Sequence, residues 1–178
     1  LCANALTGPI IPQLFQLTTL KLIDLSSNKI SGTISSEFGQ LQSMQKLILA
    51  NNTLVGSVPS ELAYLKNLAV LLLQNNSLVT SSANAFSFIS LQNFTKLTTL
   101  DISDNQLTGS IAESIFALPA LEVFAAGSNC FSGVLPSNIC DATKLNTLAI
   151  SGMSSASSCS YYYWKGTAFS GVFNGFGS

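Results

Sequence analysis

Residues 44–59 read MQKLILANNTLVGSVP, and this stretch decides the fold because its pattern returns along the chain. Apolar residues stand three and five positions before Asn52, another stands two positions after it, and Gly56 stands four after it. Asparagines recur in this setting at steps of 24, 24, 24, 29 and 24 residues: Asn4, Asn28, Asn52, Asn76, Asn105 and Asn129. A fixed period of this length predicts a solenoid of stacked turns.

Each part of the period has a physical purpose. Alternating apolar residues before the asparagine predict a short strand, and equal spacing stacks these strands in parallel about 4.8 Å apart. The ladder asparagines (Asn28, Asn52, Asn76, Asn105 and Asn129) leave the strand at a bend. Their amides can donate to and accept from backbone groups of adjacent turns that would otherwise be buried unpaired. We therefore interpret them as structural.

With these columns in register, the chain resembles the plant-type extracellular leucine-rich repeat, whose unit reads L-x-x-L-x-x-L-x-L-x-x-N-x-L-x-G-x-I-P. The match runs from Asn4 to a decayed turn at Met153. The resemblance implies a right-handed leucine-rich-repeat solenoid of the α/β horseshoe class, with a parallel sheet on the concave face and extended and 3₁₀ segments on the convex side. We expect a repeat domain over residues 1–160 and an aromatic, Gly-rich cap or tail over residues 161–178.

Composition excludes several functions. Only 8% of residues are charged, the formal net charge is −1, and the chain has neither Arg nor His. Without a basic stripe, nucleic acid and anionic membrane surfaces are poor partners. Without His, the usual general base and the commonest zinc ligand are missing. The longest apolar run, residues 68–73, is far too short to span a bilayer. We expect no enzyme activity, cofactor or metal.

The free strand positions are the candidate ligand face. They have an apolar centre and an acidic end, and the residues singled out are Lys46, Ile48, Val70, Leu72, Gln74, Thr99, Asp101 and Asp104. A contiguous apolar patch on such a sheet is a candidate contact surface. Asp101 and Asp104 could be imagined as the paired carboxylates of glycoside chemistry, but we interpret them as solvated surface acids.

Three N-glycosylation sequons begin at Asn51, Asn75 and Asn93. The first two asparagines stand at the same position of consecutive turns, each beside a ladder asparagine. Sugars on both would shield that rim of the sheet. The sequons therefore favour a secreted or cell-surface glycoprotein with N-linked glycans.

Four cysteines without a C-x-x-C pair or His favour disulfides over a metal site. We expect Cys140 and Cys159 to close the last turn, with Cys130 as a competing partner, and Cys2 to pair upstream. Spacing alone does not determine the connectivity. Disulfides also favour an oxidising compartment.

Two segments depart from the repeat. Repeat four is five residues longer than its neighbours, and residues 79–92 are interpreted as a convex bulge or, alternatively, a partner contact. The tail is interpreted either as a cap on the last turn or as a docking segment. Its aromatic assembly candidates are Tyr161, Tyr162, Tyr163, Trp164, Phe169, Phe173 and Phe176.

The leading hypothesis is a non-enzymatic extracellular scaffold that recognises a protein or glycan through its concave face. This rests partly on the resemblance, which transfers no particular ligand. One alternative is a structural glycoprotein subunit that binds further copies of itself head to tail, forming a fibre or coat. A further alternative is an inhibitor of a secreted hydrolase.

Overall fold

The computed structural model describes residues 4–80 and 94–151, together with the backbone of residues 172–174. Within these residues, most strands belong to one sheet, whose members are Leu22–Asp24, Lys46–Ile48, Val70–Leu72, Thr99–Asp101, Val123–Ala125, Thr147–Ala149 and Val172–Asn174. The first six pair in parallel with the same residue of each turn in register. The leucine-rich-repeat solenoid expected from the sequence is therefore confirmed.

A second series of short strands follows the ladder asparagines. Thr7–Gly8, Lys29–Thr33, Thr53–Gly56 and Ser77–Leu78 form one parallel sheet, and Thr108–Gly109 pairs with Cys130–Phe131. The isolated bridge from Val79 to Gln106 joins the two groups. On the convex side lie the 3₁₀ helices Pro12–Gln16, Ser36–Gln40, Ser60–Tyr64 and Ser137–Asp141, and the α-helical turn Glu113–Phe116.

The core lies between these layers and consists of the repeating apolar columns. The central residue of each parallel strand is buried, from Ile23 through Leu47, Leu71 and Leu100 to Phe124. Aromatic side chains also belong to the core, where Phe15 packs edge-on against Phe38 at a centroid distance of 4.9 Å. Burial of apolar surface between consecutive turns therefore holds the stack together.

Each ladder asparagine joins its own turn to the preceding one. Asn105, which is 3% exposed, accepts from the backbone nitrogen of Leu78 at 3.0 Å through Oδ1. Its Nδ2 donates to the carbonyl of Leu73 in the preceding turn at 3.1 Å and to those of Ile102 and Ser103 in its own turn. Asn52, Asn76 and Asn129 make the same set of bonds. One amide per turn therefore satisfies the backbone groups at the bend.

Thr80 stands where the other turns have a glycine with a positive φ angle, such as Gly56 at +78°. Its hydroxyl accepts from the Thr108 backbone nitrogen at 2.8 Å and donates to the Thr108 carbonyl at 3.1 Å. At the start of the long repeat, the Thr80 hydroxyl therefore makes the contact to the Thr108 backbone that backbone groups make between other turns.

Gly39 allows the convex helices to pack closely. A Cβ atom at this position would lie 2.7 Å from the carbonyl oxygen of Glu61, on the next 3₁₀ helix. No ordinary side chain fits this gap, so the glycine is required by the close approach of the two backbones.

At the C-terminal end of the sheet, the strand Val172–Asn174 pairs antiparallel with Thr147–Ala149. The edge of the last parallel strand is therefore occupied by the chain's own tail. The remaining aromatic candidates of the tail lie outside the described residues. So do residues 81–93, which hold most of the long repeat's extra segment.

Replacing Asn105 with Asp should destabilise the fold by about 2–4 kcal/mol. The change removes both amide donors and places a negative charge beside three carbonyl oxygens in the core. Urea unfolding followed by circular dichroism measures the difference. Gln106→Glu is the control, because it makes the same chemical change at the exposed neighbouring position. Equal losses in the two variants would contradict the proposed structural importance of the ladder amide.

Gly39→Ala should lower the free energy of unfolding by about 1–3 kcal/mol, because the new methyl group forces the 3₁₀ helices apart. Gln40→Ala, at the exposed end of the same helix, should change stability by less than about 0.5 kcal/mol. Thermal unfolding of both variants compares them. A Gly39→Ala protein as stable as the control would show that the helices separate without cost.

Candidate functional site

Alternate residues of the parallel strands point away from the core and form two columns. The first contains Leu22, Lys46, Val70, Thr99, Val123 and Thr147; the second contains Asp24, Ile48, Leu72, Asp101, Ala125 and Ala149. We call this outward surface of the large sheet the concave face. The structure thus brings six of the eight candidate ligand-face residues into two adjacent columns, while Gln74 and Asp104 lie just beyond the strand ends.

The centre of the concave face is apolar. Ile48 and Leu72 stand opposite each other on neighbouring strands, and Val70 is paired with Lys46. The three apolar side chains are half-buried, so part of each remains accessible. Because their buried neighbours hold the strands in place, these residues form a rigid apolar patch with a cation at one side.

The two carboxylates of the concave face, Asp24 and Asp101, accept hydrogen bonds from nearby serines of the same chain. Asp101 Oδ1 accepts hydrogen bonds from the Ser103 backbone nitrogen at 3.0 Å and hydroxyl at 2.6 Å. Asp24 makes the same pair of bonds with Ser26, and the Ser26 hydroxyl is the main cause that lowers the pKa of Asp24. Asp101 therefore caps the end of its strand, which is a structural role.

Gln74 carries an unusual polar atom. Its Oε1 is buried and has no hydrogen-bond partner among the described residues. The equivalent positions of the neighbouring turns hold the small side chains Ala50 and Ser103. An unpaired buried acceptor costs about 1–3 kcal/mol, so a ligand donor that reaches a rotated Gln74 side chain would gain a hydrogen bond at this point.

The strand-exit rim of the concave face consists of the residues that precede the ladder asparagines. Ser27, Asn51, Asn75, Asp104 and Ser128 share this position, and all have φ angles between 51° and 56°. Asn and Asp tolerate this left-handed conformation better than most residues. Asn51 and Asn75 are exposed, and Asn75 Nδ2 donates to Asn51 Oδ1 at 2.9 Å. The third sequon asparagine, Asn93, lies outside the described residues.

Sequence reasoning did not single out a second surface, which we call the side face. It consists of the positions three and five residues after each ladder asparagine and its equivalent Asn4. Its described members are Thr7, Ser31, Val55, Val79, Thr108, Ser132, Pro9, Thr33, Ser57, Ser110 and Val134. None of these is charged, and Val55 and Val134 are 45% and 79% exposed. The uncharged composition of these positions is present in the repeat period. It becomes recognisable only when the outward-facing residues of the second strand series are separated from the inward-facing ones.

The cysteines differ from the expectation. Cys130 is disulfide-bonded, whereas Cys140 is a free, exposed thiol. The structure therefore does not pair Cys140 as first expected, and Cys130, the competing partner that the sequence offered, is bonded instead. Cys140 lies on the exposed 3₁₀ helix Ser137–Asp141, while Cys130 begins a strand of the second series. The remaining cysteines, Cys2 and Cys159, lie outside the described residues.

The part of the chain that the structure describes contains no cluster of three or more Cys, Asp or Glu side chains able to hold a metal ion. It also contains no helix that is long and apolar enough to cross a membrane.

Comparison with known proteins agrees with this architecture. Leucine-rich-repeat family models match residues 19–41 and 95–116. No curated protein matches the chain. The ectodomain of the Arabidopsis thaliana receptor kinase GASSHO1/SCHENGEN3, solved with CASPARIAN STRIP INTEGRITY FACTOR 2, is 36% identical with a TM-score of 0.77, over 84% of this chain and 18% of that one.

Two other solved structures are similar. The Arabidopsis receptor kinase HAESA, in complex with the peptide hormone IDA and the co-receptor SERK1, is 27% identical with a TM-score of 0.74, over 84% of this chain and 24% of that one. A plant ice-binding protein is 28% identical with a TM-score of 0.73, over 85% of this chain and 47% of that one. The chain thus spans less than half the length of each. Together with the asparagine ladder and the stacked parallel strands, these matches identify the chain as a plant-type leucine-rich-repeat protein.

Proposed function

We propose that the chain is a non-enzymatic extracellular recognition scaffold that binds an extended peptide or protein segment on its concave face. The observation that carries this proposal is the apolar patch of Ile48, Val70 and Leu72, which lies half-buried at the centre of the concave face. Similar ectodomains have been solved with a peptide hormone or a named factor, which supports the same use of this surface.

The chemistry of the face favours a largely uncharged ligand. Lys46 is the one cation in its two outward columns, and the carboxylates of Asp24 and Asp101 are already engaged by serines. The Gln74 oxygen is buried and unpaired, and rotation of its side chain would offer an acceptor for a backbone N–H. An extended segment with small apolar side chains therefore matches the site better than a strongly charged one.

Extracellular placement is supported by two independent features. The disulfide at Cys130 favours an oxidising compartment. Two sequon asparagines, Asn51 and Asn75, are exposed on a turn, as glycan attachment requires.

The alternatives use the same surfaces differently. A glycan ligand or a secreted hydrolase would occupy the same concave face. Head-to-tail assembly has less support, because Val172–Asn174 occupies the sheet edge that a following copy would need. In a fibre, a following copy would instead have to meet the outer edge of Val172–Asn174.

Val70→Lys should weaken peptide binding about tenfold or more, because a charge at the centre of an apolar contact must be desolvated. The test selects binders from a displayed library of random peptides and measures their affinity for each variant. Val55→Lys is the matched control, since it places the same change at an exposed strand valine on the side face. Equal binding to both variants, or no enrichment of binders, would refute recognition through the concave face.

We propose ice binding as a second candidate function, because the side face differs from an ordinary solvated surface. Its defined positions are uncharged, although Lys29 pairs with Thr7 at one end of the same sheet. They present small hydroxyl and branched apolar side chains, among them Thr33 and Val55, which are paired across consecutive turns. The similar plant ice-binding protein supports this candidate.

The physical argument concerns hydration. Lysine ammonium groups hold strongly bound water, and such water opposes attachment to an ordered neutral lattice. Thr and Val have few χ1 rotamers, so the side face presents its methyl and hydroxyl groups in fixed places about 4.8 Å apart from turn to turn. A rigid periodic surface loses little conformational entropy when it binds a periodic solid.

Val55→Lys should abolish most of the inhibition of ice recrystallisation, whereas Val70→Lys should leave it unchanged. The measurement follows crystal size by microscopy in annealed frozen solutions of each variant at equal concentration. In the peptide experiment Val70→Lys is the test and Val55→Lys is the control. In the ice experiment Val55→Lys is the test and Val70→Lys is the control. A wild-type protein that does not slow recrystallisation would eliminate this candidate.

A further inference from the structure

An open groove lies on the convex side, between the consecutive 3₁₀ helices Ser36–Gln40 and Ser60–Tyr64. It has a volume of about 250 Å³ and is lined by Ser36, Glu37, Gly39, Gln40, Glu61 and Tyr64. We propose that this groove binds an arginine side chain of a partner protein, with the guanidinium held by the two carboxylates and the tyrosine ring. Since the groove lies on the convex side, this is a second contact surface, separate from the peptide site on the concave face.

The repeat period places the side chains of the groove in two columns. Glu37 and Glu61 stand at the same position of consecutive turns, and Gln40 and Tyr64 share the position three residues later. Side chains three apart in a 3₁₀ helix lie on the same face. The two backbones approach closely here, because a Cβ atom on Gly39 would lie 2.7 Å from the Glu61 carbonyl oxygen. Two carboxylates, an amide and an aromatic ring therefore surround one small space.

The two carboxylates have no cationic partner in the described part of the chain. Glu61 Oε2 accepts a hydrogen bond from the Ser60 hydroxyl at 3.2 Å, but neither glutamate forms an ion pair with a described lysine. Equivalent positions on the other described convex helices are uncharged, and they hold Gln13, Ser114 and Asn138. Like charges at facing positions repel each other. A cation bound between Glu37 and Glu61 would replace this repulsion with attraction.

Tyr64 provides a surface for a flat cation. The residue is 56% exposed, and its equivalents on the other described convex helices are not aromatic: Gln16, Gln40, Ala117 and Asp141. A planar guanidinium pairs with carboxylates through a fork of donors and stacks on aromatic rings, whereas a lysine ammonium is a compact, strongly hydrated charge. Arginine therefore fits the groove better than lysine. The chain contains no Arg, so the arginine must come from a different protein.

The probe for the groove is arginine capped as N-acetyl-arginine methylamide. Its titration into the isotope-labelled full chain is followed by NMR through the backbone amide signals. We expect an affinity of about 1–10 mM for this single residue, with the largest shifts in Ser36–Gln40 and Ser60–Tyr64. Capped citrulline has a similar shape without the charge and should bind about tenfold more weakly. Equal binding of the two compounds, shifts confined to other residues, or no shifts at all would overturn the proposal.

Variants test the two halves of the site. Glu37→Gln and Glu61→Gln should each weaken the binding of capped arginine about fivefold to tenfold. Tyr64→Leu should weaken it about twofold to fivefold, as expected for an exposed cation–π contact. Glu113→Gln is the matched control, because it makes the same change at an exposed position of the next described convex helix, outside the groove. A loss in the control as large as in Glu37→Gln would show unspecific attraction and overturn the proposal.

Thermal unfolding separates binding from folding in the same variants. The unfolding midpoint of Glu37→Gln should stay the same or rise, because the change removes repulsion between the two carboxylates. A clear fall would show that this carboxylate already supports the fold, which would contradict its assignment to a ligand. Val70→Lys should bind capped arginine like the wild type, so a failure of the groove and a failure of the concave site are seen separately.

Discussion

The side-chain amide of the ladder asparagine is the interaction on which the rest of the structure depends. In Asn105 it accepts from a nitrogen of the preceding turn and donates to carbonyls of both turns. The strand must turn sharply here, so these backbone groups lose their sheet partners in the core, where unpaired groups are costly. One neutral amide supplies both donor and acceptor. The strand spacing, the bend and the position of the second strand series all follow from it.

Much of the fold could be predicted because the same constraint repeats. The asparagine period, the apolar residues around it and the glycine column predicted the solenoid and its parallel sheet. The replacement of a glycine by Thr80 was visible, but its bonds to Thr108 depend on a distance between turns that sequence does not provide. The choice of Cys130 over Cys140 likewise depends on where each side chain points.

The candidate site was less predictable than the fold, for a physical reason. Outward positions do not affect stacking, so their composition is not constrained by the period and carries no structural signal of its own. Asp101 shows the difficulty, because its carboxylate stands on the concave face yet is held by Ser103. Gln74 shows the opposite case, because its side-chain oxygen has no hydrogen-bond partner in the described structure. A polar side chain that is already hydrogen-bonded can be distinguished from an unpaired one only when its neighbours and distances are known.

Because the buried residues that stack the turns are different from the residues that face outward, one repeat can present two outward surfaces. Stacking uses the ladder asparagine and the buried columns, such as Leu47 and Leu54, whereas Val70 and Val55 face outward on different sheets. Changes in either surface therefore cost little stability. Their composition thus reflects what they contact more than how the chain folds. With only 8% charged residues, long-range electrostatic steering is weak, so the recognition proposed for either surface would depend on shape, apolar contact and neutral hydrogen bonds.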